Sequence, residues 1–196
     1  MRITTIILMA AMSGTAALAG NHAPIPAERH VTVCMDNYGI TIAPARLLAT
    51  KMFVDIGVKI DWRLGVDGCP SKAIRISFGS PTGSQPKALA YALPYDGTHI
   101  YVFYDRIVNE CNQNLAPYVL GHVLVHEITH ILEGICWHSG HGIMKAKWDA
   151  DDFADMSRQS LKFAEEDIDL IYSGLAARAA RPLVAMNSTP AVVAAP

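Results

Sequence analysis

Residues 122–148, HVLVHEITHILEGICWHSGHGIMKAKW, constrain the fold more than any other part of the chain. The first half is mostly apolar and carries His122, His126 and His130, whose four-residue spacing is just over one helical turn. The spacing predicts a helix from about Pro117 to Glu133, and an apolar helix of this kind must be packed inside other elements. Gly134 follows in a position that suits a left-handed cap, so the chain bends there. His126 and His130 project from one face and can share one metal ion, and imidazole nitrogens suit Zn2+. Glu127 lies about 100° around the helix from His126. Its carboxylate therefore stands beside the site as general base for a water molecule, outside the coordination shell. A chance H-E-x-x-H is expected about once in a hundred chains of this composition, so a mere polar face on a core helix is the weaker reading.

Two more histidines lie past the bend, His138 and His141, and either is in reach as third ligand. Gly142 ties His141 to the start of the tight turn Gly142-Ile143-Met144, whereas His138 has slack before it. His138 is therefore preferred, with His141 as the alternative. His122 is too far from His130, about 12 Å along the helix axis, to join one ion, and is expected on a surface or lining a cleft. Cys136 is expected in a disulfide or as an inert thiol, and Trp137 and Trp148 as packing residues. Asp149, Asp151 and Asp152 lack the glycine and terminal glutamate of a calcium loop and read as a solvated face.

H-E-x-x-H, a glycine bend, a further histidine and a methionine in a turn together resemble the metzincin clan of zinc endopeptidases. Among these the chain is most similar to bacterial matrixin-like proteins with H-E-x-x-H-x-x-x-G-x-x-x-H-S-x-x-G-[IV]-M-[KR]-A-x-W. The matching residues are His126-Glu127-Ile128-Thr129-His130, Gly134, His138-Ser139, Gly142-Ile143-Met144-Lys145-Ala146 and Trp148. Weaker likeness covers most of 31–175, including Leu161–Ile171, similar to the last helix of matrixins. The resemblance implies an α+β fold with a mixed, twisted sheet of about five strands. It also implies an active-site helix, a crossover helix, a C-terminal helix and an edge strand that binds extended peptides. For the site it implies zinc on His126, His130 and His138, with Met144 in the Met-turn. The usual metzincin spacing puts Gly three and His six residues after the second His, where this chain has Glu133 and Cys136.

The strand count follows independently from alternation. His30–Met35, Val58–Leu64, Ala73–Phe78 and His99–Tyr104 read as strands, with Lys87–Leu93 a weak, Ala-rich edge. Ala43–Ile56, with Pro44 in its first turn and Gly57 beyond its end, is the crossover helix between two parallel strands. Leu161–Leu175 reads as the last helix. The expected organisation is a leader at 1–19, a lead-in at 20–29, one domain at 30–175 and a disordered tail at 176–196.

The leader places Arg2 before an apolar run and ends in Ala17-Leu18-Ala19, the layout of a secretory signal peptide. The charge is −2 over the 196 residues, without basic clusters, which excludes an electrostatic footprint for nucleic acid. No later apolar run is long enough to span a bilayer. In an exported chain, Cys34, Cys69, Cys111 and Cys136 suggest two disulfides with three possible pairings. Cys69 and Cys111 each follow a strand and are expected to pair, leaving Cys34 with Cys136.

The leading expectation is a secreted or periplasmic zinc endopeptidase, monomeric, acting on a peptide or protein substrate with Glu127 as general base. The lead-in is too short for an inhibitory prodomain, so no N-terminal latency is expected. The alternative is a non-catalytic exported module whose zinc site is structural or vestigial, closed by His141 or Cys136 as fourth ligand.

Overall fold

Alternating residues, β-branched in all but the Ala-rich β4, build five strands: β1 (His30–Met35), β2 (Lys59–Leu64), β3 (Ile74–Phe78), β4 (Ala90–Leu93) and β5 (His99–Val102). A computed structural model describes residues 29–36, 42–65, 67–79, 87–95 and 98–180. The strands form one sheet in the order β2-β1-β3-β5-β4. All neighbours pair in parallel except β4, which runs antiparallel to β5 at the edge. The expected α+β class and five-stranded mixed sheet are observed, and Ala90–Leu93 is the edge strand that the sequence suggested.

Helix α1 (Ala43–Asp55) connects parallel β1 and β2, with proline in its first turn. Helix α2 (Tyr104–Glu110) begins where β5 was expected to continue through Tyr104. Helix α3 (Ala116–Glu133) carries the two histidines and buries Leu120, Leu124, Ile128, Ile131 and Leu132 almost completely. It packs against α1, α5 and the β4–β5 end of the sheet, which explains why its sequence is apolar around most of its circumference. Gly134 caps it with φ of 73°, a left-handed conformation that glycine adopts without steric penalty. Among the described residues, no helix is long and apolar enough to cross a membrane.

Helix α4 (Ala150–Met156) was not foreseen, and the aspartates read as a solvated face build its start. Asp149 accepts the backbone N–H groups of Asp151 and Asp152, while Asp152 accepts that of Asp149. Lys145 Nζ clamps both carboxylates at 2.8 and 2.5 Å. Helix α5 (Glu165–Ala180) starts later than Leu161 and runs past Leu175, so 176–180 are helical and not part of a disordered tail. Its last turn is tied down by Arg178, which donates to the Lys72 carbonyl at 3.0 Å. The leader, the lead-in up to residue 28, and residues 181–196 lie outside the described residues.

The disulfide expectation is corrected. Cys34 bonds Cys69, with Cα atoms 6.2 Å apart, while Cys111 and Cys136 are free. The sheet order supplies the reason. β2 and β3 flank β1, so the connection between them crosses β1 and carries Cys69 to Cys34. Cys111 instead ends α2 and donates its thiol to the Ile107 carbonyl.

Candidate metal centre

One face of α3 presents His126 and His130, and the bend at Gly134 returns the chain so that His138 faces them. One nitrogen from each ring lies within 4.8 Å of the others. Ring centroids are 4.7 Å apart for His126–His130, 5.3 Å for His126–His138 and 4.9 Å for His130–His138. His126 Nδ1 donates to the Ile143 carbonyl at 2.9 Å, which leaves the Nε2 lone pair directed at His130 Nε2, 3.1 Å away. Tetrahedral zinc with bonds of 2.0–2.1 Å requires ligand nitrogens roughly 3.3 Å apart, so this pair fits the ion. Burial, then the charge of His138, hold the His126 pKa at about 4, against the opposing Ile143 carbonyl. Burial and the charges of His126 and His138 hold His130 at about 3, against the Ile135 backbone. Burial also lowers the pKa of the exposed His138. All three rings are thus neutral near pH 7, the form that ligates metals.

Glu127 is buried one position along the helix and lines the same cleft. Burial pushes its carboxyl up to about 8, against a hydrogen bond from the Ala92 backbone of β4. The edge strand therefore touches the acidic residue directly. Val123 of α3, Trp148 and Phe153 line the same cleft. Met144 is fully buried in a 3-10 turn, Gly142–Met144, and its carbonyl accepts the Ser139 N–H at 3.0 Å.

His141 is exposed at the start of that turn and stands outside the three-histidine group. His122, expected on a surface or in a cleft, is fully buried instead. It bonds the Tyr118 carbonyl through Nδ1 and receives the Leu161 N–H at Nε2, 3.1 Å away. Trp137, expected to pack, is exposed on the loop between the ligands. Cys136 lines the cleft as a free thiol. Glu133, where the usual spacing has glycine, is buried at the end of α3. Burial first, and then the charge of Asp167, push its carboxyl up to about 8. The Ile143 carbonyl and the Ala92 amide were invisible before the fold, because backbone groups carry no residue-type signal.

A solved archaemetzincin from Methanopyrus kandleri shares this fold, with a TM-score of 0.57 and 13% identity over 78% of this chain and 99% of that one. The fold is archaemetzincin-like. A zinc-dependent peptidase from Methanocorpusculum labreanum aligns with a TM-score of 0.49 and 12% identity, over 71% of this chain and 99% of its own. No family model matches the sequence, and no curated protein matches it.

Proposed function

We propose that this chain is an exported zinc-dependent endopeptidase of the bacterial matrixin-like kind, hydrolysing peptide bonds in peptide or protein substrates. The observation that carries the reading is the convergence of three neutral imidazoles beside a buried glutamate on one helix. His126, His130 and His138 would hold Zn2+, which polarises a carbonyl and lowers the pKa of water. Glu127, as the carboxylate that a neighbouring cation favours, would accept the proton of the attacking water and return it to the leaving amine. β4 lies beside Glu127 with its outer edge unpaired in the sheet, which suits an extended peptide added as a further strand. The leader at 1–19 and the Cys34–Cys69 bond support export.

The rival reading, a structural zinc site in a non-catalytic module, needs a fourth protein ligand. Among the described residues the group contains three, with His141 and Cys136 outside it. A structural site also has no use for the buried Glu127.

The experiment measures zinc content after dialysis and hydrolysis of a denatured protein for Glu127→Ala, His138→Ala and His141→Ala. Glu127→Ala keeps one zinc and loses at least about 10²-fold in turnover, the order supplied by a general base. His138→Ala loses the metal and His141→Ala retains it. Unchanged turnover in Glu127→Ala removes the mechanism. Metal loss in His141→Ala but not in His138→Ala removes the ligand assignment.

A further inference from the structure

We propose that Trp148 is a positioning residue for the metal ligand His126, an inference that rests on the metal-centre reading above. Trp148 belongs to the segment between the Gly142–Met144 turn and α4. Its indole Nε1–H donates to the Ile143 carbonyl oxygen at 3.3 Å, the same oxygen that accepts His126 Nδ1 at 2.9 Å. A carbonyl oxygen has two lone pairs, so it can serve both donors at once. The indole also meets the His126 ring edge to face, with centroids 5.5 Å apart and planes at 82°. Trp148 thus acts on His126 twice, by aiming the carbonyl that the imidazole bonds and by walling the ring itself.

The support behind Trp148 is rigid. The Ile143 N–H is pinned to the Lys162 carbonyl at 2.8 Å, so the shared oxygen sits on a tethered peptide unit. Phe153 of α4 packs edge to face on the indole, with centroids 6.4 Å apart. The aspartate clamp on Lys145 holds the start of α4 where Phe153 can do so. Among the described residues, the ring contacts of His130 and His138 are with other members of the triad. Of the three, His126 has, among the described residues, an aromatic partner outside the triad. An Nδ1–H held on a fixed acceptor keeps the lone pair on Nε2 and pointed into the triad. Loosening that hold leaves all three ligands in place but randomises one of them.

The test compares wild type with Trp148→Phe, which keeps an aromatic wall but loses the N–H, and Trp148→Leu, which loses both. Trp137→Leu, in the exposed loop, is the control. Zinc affinity is read by competition with a chromophoric chelator. Ligand geometry is read from the visible absorption of the protein loaded with Co2+. The metal-free Tm checks the fold. Zinc affinity is expected to fall by roughly 10–100-fold in the leucine variant and by a smaller factor in the phenylalanine variant. The cobalt band should change in both, and Trp137→Leu should match wild type. Either Trp148 variant matching wild type in both affinity and cobalt spectrum overturns the proposal. A wild-type protein that binds no zinc overturns the metal-centre reading, and the role of Trp148 with it.

Discussion

His122 and His126 sit one turn apart on α3, yet their surroundings give them different work. The backbone N–H of Leu161 can only donate, so His122 Nε2 accepts it and Nδ1 must carry the proton given to Tyr118. Burial accordingly lowers the His122 pKa, against the opposing Tyr118 carbonyl. An unfolded chain takes up a proton there near pH 6.5, whereas the folded chain resists it. Below that pH the unfolded state binds more protons, so stability falls as pH falls, by at most about 1.4 kcal/mol per unit for this one group. His126 and His130 act in the same direction when no metal is bound, and the raised carboxyls of Glu127 and Glu133 in the opposite one, so a variant is needed to isolate His122. In urea unfolding of the metal-free protein, the stability of wild type relative to His122→Gln should fall between about pH 7 and pH 5, the part of the slope that His122 supplies. Equal slopes would mean that His122 is not held neutral.

At the scale of elements, α5 meets the end of α3 at Gly174 with no side chain of that residue between them. A Cβ built at Gly174 would run into the Leu132 carbonyl oxygen near the end of α3. Gly174→Ala must therefore push α5 off the metal-bearing helix, at about 1–3 kcal/mol of overpacking. Urea denaturation should show that loss, whereas alanine in an uncrowded helix stabilises relative to glycine. A gain in stability would place the helices farther apart than described.

The long elements were legible because their periods are strong. His30–Met35 was delimited correctly, and α1 and α3 to within a residue at each end. Helix α4 escaped because seven residues with three aspartates show no apolar period, and only the Asp149 cap marks its start. The end of α5 was misplaced because Ala176–Ala180 reads as featureless. What orders it is a tertiary bond from Arg178 to Lys72. The disulfide failed for a topological reason: no local pattern says that β1 lies between β2 and β3. The site itself was the most legible part. His126, Glu127 and His130 lie close in sequence and His138 carries a motif, and the structure brings the three histidines together. The backbone groups of Ile143 and Ala92, which aim the imidazole and contact the glutamate, had to await the fold.

Taken as a whole molecule, the sheet has two kinds of edge. β2 closes the parallel side next to α1, while antiparallel β4 ends the other side at the cleft, touching Glu127. The candidate site is assembled from four separate places in the chain. α3 carries His126, Glu127 and His130, the bend carries His138, the turn supplies the Ile143 carbonyl and β4 supplies the Ala92 amide. Such a site is assembled only in the folded chain, so metal binding and folding are coupled. On the proposed function, one zinc ion held by His126, His130 and His138 beside Glu127 supports peptide hydrolysis. The most direct measurement is titration of the chelator-treated protein with Zn2+ while following cleavage of a denatured protein. No cleavage is expected without metal, and full activity at one zinc per chain. Cleavage that survives complete metal removal, or one tightly bound zinc that restores none, would contradict it.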